Sequence, residues 1–305
     1  MIKIIILLSI TLFSLPANAD DYAKENFSII DVGDFASSNG WYVTYQINKN
    51  TYAILAPYHW QETVSYLMIG REKALLIDTG MAFGNIKLNV EALTDKPVIV
   101  VNSHSHYDHV SNNHHFDTVY GRDLAFTAKN ASGHPKTTWQ NAIQPSAVSA
   151  NLPIGFNYDN YKNIGFEIDH FLKDGEIIDL GGRKIEVIFA PGHTPDGMLF
   201  FDRAAGLLAT GDTFYPSTLW AHRDDADFND YIASAKKMAA MQQDVKYILP
   251  GHGEITANPE FLGKLYDAFV AMTDPSTPFE TGEDRRRYQF DGFAALVKDP
   301  PQKQP

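Results

Sequence analysis

The sequence predicts an α/β fold built around one large domain, and three observations lead to this prediction. Short runs of β-branched and aromatic residues alternate with stretches of helical spacing. Several of the short runs end in a glycine-flanked motif that carries a histidine or an aspartate. The chain has 305 residues, somewhat above the ~250 at which single cores begin to divide, so one core is the first choice.

The first half begins with four β-like runs, which a helix and a fifth strand follow. A charged turn separates the third run from the fourth, as expected of antiparallel neighbours. Helical spacing is present at about 85–93, and the next β-branched run leads directly into a cluster of histidines. The predicted strands of this half are 41–47, 51–55, 64–69, 74–77 and 98–101.

The second half repeats the pattern of strands that lead into polar motifs. Its helices are predicted at about 228–241 and 259–272. Loops at strand ends can converge while the sheet stays rigid, and α/β folds place their sites there for that reason. The predicted strands of this half are 184–189, 198–201, 207–209 and 245–249.

Two segments differ from this alternating pattern. Residues 131–176 are rich in Asn, Pro, Gly and aromatic residues, and we expect a long insertion or short helices over the site. A plain surface connection is the alternative. The tail, 274–305, is polar, with a basic run at 285–287 and a proline-rich end, and we expect it to fray. The main domain therefore spans 20–273.

The first nineteen residues have the pattern of a secretory signal peptide. Lys3 supplies a positive start, 4–13 is largely apolar, and Ala17-Asn-Ala19 forms a small-residue cleavage site. The apolar run is shorter than the ~20 residues that span a bilayer, although a retained anchor is the alternative. We expect a periplasmic or secreted protein without stable membrane insertion after cleavage of 1–19.

The composition excludes several kinds of chemistry. A net charge of −12 repels phosphate backbones, so we expect a small-molecule substrate and no nucleic acid. The chain contains no cysteine, so no disulfide supports the fold and no thiolate serves as nucleophile or metal ligand. Metal chemistry must use His, Asp and Glu. The oligomeric state stays open.

Residues of the types that bind metals gather in four short motifs. The first places three imidazoles and one carboxylate within six residues, which suits two adjacent ions better than one. A set of nitrogen and oxygen donors suits zinc and also tolerates iron or manganese. The motifs carry His104, His106, Asp108 and His109; His193 in Pro-Gly-His-Thr-Pro; Asp212 in Thr-Gly-Asp-Thr; and His252 in Pro-Gly-His-Gly.

This ordered series resembles the metallo-β-lactamase-fold metallo-hydrolase superfamily over roughly residues 40–260. The resemblance implies a four-layer αβ/βα sandwich that holds two zinc ions. It implies that His104, His106 and His193 hold the first ion, that Asp108, His109 and His252 hold the second, and that Asp212 bridges them.

Three further residues take roles from the same resemblance. Asp78 matches a carboxylate that accepts a hydrogen bond from a ligand histidine and fixes its tautomer, with a helix cap or turn as the alternative. Asp108 is expected to orient the nucleophile and to shuttle its proton. Tyr215 is similar to the tyrosine that lactonases of this fold place over the substrate carbonyl.

The sequence therefore predicts an exported dinuclear zinc hydrolase in which metal-bound hydroxide cleaves an ester, lactone or related acyl bond. Asp212 argues against β-lactams, because true β-lactamases of the superfamily usually carry Cys or Ser at that place. Three alternatives stay open: a β-lactam hydrolase, a single-iron oxidoreductase similar to persulfide dioxygenases, and a metal-binding protein without turnover. Counting metals and following oxygen consumption would distinguish the oxidoreductase, and a panel of substrates would distinguish the other two.

Overall fold

The computed structural model describes residues 24–31, 40–149, 152–282 and 284–298. The expected signal peptide, 1–19, lies outside these residues. Within them, no helix combines the length and the apolar character that crossing a bilayer requires.

The first half of the chain forms an eight-stranded sheet in sequential order. Neighbours from β1 to β5 are antiparallel, and neighbours from β5 to β8 are parallel. The strands are β1 Ser28–Ile30, β2 Val43–Asn48, β3 Thr51–Leu55, β4 Val64–Ile69, β5 Ala74–Ile77, β6 Val98–Val101, β7 Val119–Gly121 and β8 His170–Phe171.

The second half of the chain forms a five-stranded sheet and a third sheet of four strands. Its strand β12 pairs in parallel with β14, while the other neighbours of the five-stranded sheet are antiparallel. The five strands are β9 Ile177–Asp179, β10 Lys184–Phe189, β11 Met198–Asp202, β12 Leu207–Gly211 and β14 Tyr247–Pro250. The third sheet contains β13 Thr218–Ala221, β15 Glu280–Thr281, β16 Arg285–Phe290 and β17 Phe293–Lys298.

Six α-helices connect or cover these sheets in the described part of the chain. The longest, α5, begins after Asp227, whose carboxylate accepts hydrogen bonds from the N–H groups of Asn229 and Asp230. The helices are α1 Ile86–Leu93, α2 Tyr107–Val110, α3 Ala125–Ala131, α4 Lys136–Trp139, α5 Phe228–Met241 and α6 Glu260–Ala271. Shorter 3-10 helices occupy Lys24–Asn26, Asn113–His115, Pro145–Ala147, Tyr158–Asn160 and Gln242–Asp244.

Three hydrophobic cores separate four layers. One core lies between the two large sheets, where Leu55 and Leu75 meet Val187 and Phe200. A second lies on the other face of the eight-stranded sheet, against α1 and part of the 131–176 segment. The third lies between the five-stranded sheet and helices α5 and α6. The order helix, sheet, sheet, helix confirms the predicted αβ/βα sandwich.

The segment 131–176 packs against the fold. Trp139, Ala142 and Tyr161 are buried in the core that also contains α1. The segment carries α4, two of the 3-10 helices and β8. Short helices were one of the two expectations for it, and they are present.

The expectation that the tail beyond 273 frays is wrong over 285–298. Strands β16 and β17 pair as an antiparallel hairpin, and β17 pairs in parallel with β13. The apolar side chains of the hairpin enter the core of α5 and α6, among them Tyr288, Phe293 and Val297. Burial of these side chains holds the segment in place, so the hairpin belongs to the main domain.

Candidate metal centre

The seven predicted ligand residues meet where the two large sheets present the carboxyl ends of their strands. The first motif follows β6, and Tyr107, Asp108 and His109 begin the short helix α2. His193 follows β10, Asp212 follows β12 and His252 follows β14. The side chains of all seven are buried or nearly so. The predicted convergence of strand ends therefore occurs.

Three histidines form the first group. The Nδ1 atom of His106 lies 3.0 Å from Nε2 of His104 and 3.1 Å from Nε2 of His193. These three atoms belong to a set close enough to hold one ion.

A second group lies beside the first and consists of Asp108, His109 and His252. The Nε2 atoms of the two histidines are 3.2 Å apart. The carboxylate Oδ2 of Asp108 lies 3.8 Å from each of these Nε2 atoms.

Asp212 touches both groups with different oxygens. Its Oδ2 lies 3.5 Å from His193 Nε2 in the first group. Its Oδ1 lies 3.2 Å from His109 Nε2 and 3.0 Å from His252 Nε2 in the second. This is the position that a bridging carboxylate requires.

The outer nitrogen of every one of the five histidines faces an oxygen. For three of them that oxygen belongs to a serine hydroxyl or a carboxylate, and for two it is a backbone carbonyl. The pairs are His104 Nδ1 with Ser103 Oγ at 3.1 Å, His106 Nε2 with Asp225 Oδ2 at 2.8 Å, His109 Nδ1 with Asp78 Oδ2 at 2.9 Å, His193 Nδ1 with Trp220 O at 2.9 Å, and His252 Nδ1 with Gln61 O at 2.6 Å.

These contacts fix the tautomers. Carbonyl and carboxylate oxygens only accept, so the outer nitrogen carries the proton and the inner nitrogen keeps its lone pair. Ser103 Oγ donates to Asp78, so it accepts from His104 in the same way. In their neutral form the rings would present lone pairs to one another at close to 3 Å, an arrangement that suits a cation between them.

Burial and charge polarise the centre. Burial lowers the pKa of His104 well below its ordinary value, and it lowers the pKa of His193 to about 4. Burial alone would raise the pKa of Asp212, yet His252 and His109 hold it well below its ordinary value. Burial alone would lower the pKa of His109, but Asp212 and Asp78 raise it well above. The Asp212 carboxylate thus stays charged and attracts positive charge to the converging nitrogens.

The balance of buried charge at the centre also fits divalent cations. Three carboxylates, from Asp78, Asp108 and Asp212, are buried here, and their ion pairs within the described residues are with histidines alone. The buried Oδ1 of Asp212 has no donor in normal hydrogen-bond geometry, although two Nε2 atoms lie close to it. Buried charge without a lysine or arginine partner is costly, and bound metal ions would balance it.

Asp78 lies behind His109, as the sequence suggested. Besides the contact to His109, its Oδ1 accepts from the N–H of Ser103 at 2.7 Å. Its backbone has φ +61°, in the left-handed region that Asp and Asn adopt more readily than most residues. One carboxylate therefore contacts both a candidate ligand and the loop that begins the first motif.

Gln61 and Asp225 also contact the centre, and sequence reasoning missed both. The Gln61 amide donates to Asp108 Oδ2, its Oε1 accepts from Tyr107, and its backbone carbonyl accepts from His252. Asp225 accepts from His106. Neither residue lies in a metal-binding pattern along the chain, so no local signal would have found them.

A cavity of about 670 Å³ opens over the two groups. Its walls come from the segment before β4, from the 131–176 segment and from β13 with its flanking loops. The size lies within the range of small-molecule sites. Beyond the centre itself, the lining includes Trp60, Glu62, Thr138, Asn141, Ala142, Tyr215, Ser217, Thr218, Trp220, Arg223 and Glu254.

Tyr215 lies beside the centre with its hydroxyl engaged elsewhere. Its ring meets the His252 ring edge-on, with centroids 5.1 Å apart. Its hydroxyl donates to Thr218 O at 2.8 Å. A hydrogen bond from this hydroxyl to a substrate carbonyl would require the Thr218 contact to break.

The histidines that the sequence left outside the centre have other contacts. The ring of His59 is buried and contacts Ala142 O, and the ring of His134 contacts Ser105 O. His114 and His115 stack on each other. His170 pairs with Glu176 at the surface.

Comparison with known proteins gives a family and several relatives. A family model described as the metallo-beta-lactamase superfamily matches residues 60–252. The acyl-coenzyme A thioesterase MBLAC2 of Homo sapiens is 25% identical over 221 residues, which cover 68% of this chain and 78% of that protein. The hydroxyacylglutathione hydrolase GloC of Haemophilus influenzae is 25% identical over 207 residues, which cover 64% of this chain and 87% of the relative.

Solved structures show the same fold at lower identity. A metallo-beta-lactamase family protein from Thermus thermophilus superposes with a TM-score of 0.55 at 18% identity. The match covers 74% of this chain and 81% of that one. The matched residues of the family model, 60–252, include the six residues of the two groups and Asp212.

Proposed function

Because the chain belongs to the metallo-beta-lactamase superfamily and is a metal-dependent hydrolase, we propose that it cleaves an acyl bond with two divalent ions. The bond is an ester, thioester or lactone of a small molecule. Zinc is the proposed metal, because the donors are nitrogen and oxygen and the groups are compact.

One observation carries this proposal. Two adjacent groups of three donors share a carboxylate, with Oδ2 of Asp212 in contact with the first group and Oδ1 in contact with the second. A protein that only stores metal does not need such a shared carboxylate below an open cavity of substrate size.

When bound, two divalent ions would lower the pKa of water and polarise an acyl carbonyl. The chain supplies the rest of the chemistry. Asp108 lines the cavity and is proposed to accept the proton of the attacking water. The Gln61 amide, itself held by Tyr107, donates to Oδ2 of that carboxylate and so fixes its orientation. Trp60 and Trp220 line the cavity and give it apolar surface.

The comparisons support the choice of an acyl bond. The names of two relatives, acyl-coenzyme A thioesterase and hydroxyacylglutathione hydrolase, both describe hydrolysis of an acyl group. The cavity also offers aromatic walls, which suit the apolar part of an acyl substrate. β-Lactam hydrolysis is the second candidate, favoured only by the family name.

The test is a substrate panel on zinc-loaded protein, with metal content measured in the same samples. The panel contains lactones, thioesters, β-lactams, sulfate esters and phosphodiesters. We expect about two zinc ions per chain, with the highest kcat/KM on a thioester or other acyl ester. The Asp212→Ala variant serves as the inactive reference. One iron per chain with oxygen consumption, or β-lactams as the best substrates, would refute the proposal.

Export is proposed on the N-terminal pattern alone. Residues 1–19 would be removed as a signal peptide, and the protein would act in the periplasm or outside the cell. Cell fractionation with mass measurement of the N-terminus tests this. A cytoplasmic protein that keeps Lys3 would rule it out.

A further inference from the structure

The C-terminal hairpin, β16 and β17, lies against a wall of the cavity. Strand β17 pairs in parallel with β13 from Thr218 to Ala221. Thr218 and Trp220 of β13 line the cavity, while Leu219 and Ala221 face the core. The last residues of the described chain therefore support the strand next to the metal centre.

The hairpin also reaches past β13 to the loop that follows it, residues 222–225. Nη1 of Arg285, at the start of β16, lies 2.9 Å from His222 Nε2. Nζ of Lys298, at the end of β17, donates to Asp224 Oδ1 at 2.7 Å. The open end of the hairpin, where Arg285 pairs with Lys298, thus contacts two residues of this short loop.

The loop ends in Asp225, which holds His106. His106 differs from the other four histidines of the centre: it presents Nδ1 inward, whereas they present Nε2. Its outer Nε2 meets Asp225 Oδ2 at 2.8 Å, and within the described residues no other contact fixes the orientation of this ring through Nε2. The reversed ring therefore depends on where the loop places one carboxylate.

We propose that the C-terminal hairpin is a positioning element of the metal centre, acting through the 222–225 loop and Asp225 on the orientation of His106. The hairpin lies outside the matched family region, 60–252. The inference concerns metal binding, so it depends on the proposed metal centre and not on the proposed acyl substrate.

The test has two measurements on the full chain. Zinc affinity is measured by competition with a chromophoric chelator, and the visible spectrum is recorded after cobalt substitution. Asp225→Asn removes the negative charge that faces His106 Nε2, and we expect zinc to bind roughly 10- to 100-fold more weakly. Arg285→Ala with Lys298→Ala removes both loop contacts, and we expect a loss of roughly three- to tenfold, since such exposed contacts are individually weak. Both variants should shift the cobalt bands.

The matched control is Lys264→Ala. Lys264 pairs with Asp291 at the turn of the same hairpin, 2.8 Å apart and remote from the loop. We expect zinc affinity within twofold of the wild type. When Arg285→Ala and Lys298→Ala are added to Asp225→Asn, we expect little further loss of zinc affinity, because all three substitutions act on the orientation of the His106 ring.

Three results would overturn the inference. One is wild-type affinity and spectrum in the Arg285→Ala, Lys298→Ala protein. Another is an equal loss in Lys264→Ala, which would indicate a general effect on stability. The third is full additivity with Asp225→Asn. If the wild-type chain binds no zinc at all, the proposed function fails instead, so the two failures can be told apart.

Discussion

Asp78 shows how a single residue serves the backbone and the centre together. It holds a left-handed backbone conformation at the end of β5 and accepts from His109 and Ser103 at once. Asp and Asn tolerate this conformation, whereas most other residues are strained in it. Asp78→Asn therefore removes the negative charge while the residue can keep the left-handed backbone conformation.

We expect Asp78→Asn to fold normally and to bind zinc roughly 10- to 100-fold more weakly, since the charge that orients His109 is lost. Asp78→Ala should lose about 1–3 kcal/mol of unfolding free energy in addition, because alanine is strained at φ +61°. Chelator competition and thermal unfolding of the metal-free proteins measure the two effects. Unchanged zinc affinity in Asp78→Asn would contradict the role of the carboxylate.

Tyr215 is the residue at which the structure modifies the expectation most. Because its hydroxyl donates to Thr218 O, Tyr215→Phe should cost about 0.5–1.5 kcal/mol of unfolding free energy. We expect zinc content to be unchanged and kcat/KM to fall less than about tenfold, less than a catalytic proton donor would cause. Steady-state kinetics with the best substrate of the panel gives the answer. A loss of a hundredfold or more would restore the carbonyl-binding role that the sequence suggested.

The ligand-type residues were predictable because their signal is local. His104, His106, Asp108 and His109 stand within six positions, and the other three each lie in a short glycine-flanked motif. Gln61 and Asp225 were not predictable, because their contacts span 47 and 119 positions of sequence. Such supports depend on how whole strands pack, and a single sequence does not report that.

At the scale of elements, the end of β12 requires a glycine at position 211. Gly211 has φ +49°, and the ladder with β14 shifts register just before it. A Cβ atom at Gly211 would stand 2.2 Å from the Ser103 side chain, far inside normal contact. Glycine there lets β12 approach the first motif closely enough to bring Asp212 to both groups.

Gly211→Ala should therefore lower the free energy of unfolding by more than about 2 kcal/mol and weaken zinc binding as Ser103 moves. The control is Gly175→Ala, since Gly175 has φ +78° but open space around it. That control should show only backbone strain, about 1–2 kcal/mol, with normal zinc affinity. Equal effects in the two variants would show that close approach to Ser103 is unimportant.

Elements with strong apolar periodicity were predicted well, and those in the tail were not. The helix at 228–241 and the strands at 51–55, 64–69 and 74–77 have the bounds that the sequence indicated. Strands β16 and β17 were missed because the basic run at 285–287 suggested a solvated tail. The signal was present nonetheless: Asp291-Gly292 separates two runs of strand type, a common hairpin pattern.

At the scale of the whole molecule, the metal centre joins the two halves of the fold. The first half supplies His104, His106, Asp108 and His109 from the eight-stranded sheet. The second supplies His193, Asp212 and His252 from the five-stranded sheet. Each group of donors contains residues from both halves. Bound ions would therefore add a cross-link between two sheets that also share a core.

We expect this arrangement to make the overall stability depend on metal. An ion that binds only the folded chain, at 100 times its Kd, adds about 2.7 kcal/mol per site. In a domain of this size, each kcal/mol moves Tm by roughly 2–4 °C. With two sites, we expect chelation to lower Tm by roughly 10–20 °C and zinc to restore it. Magnesium should not, because it prefers oxygen donors.

Two variants decide whether the shift in Tm comes from the centre. In Asp212→Ala, zinc should no longer raise Tm to the same extent, since both groups lose their shared carboxylate. His170→Ala removes a surface histidine that pairs with Glu176, so it should keep the full zinc-dependent shift. A Tm that chelator leaves unchanged would show that the sheets hold together without ions. A full shift that persists in Asp212→Ala would show that the shared carboxylate does not hold the stabilising ions.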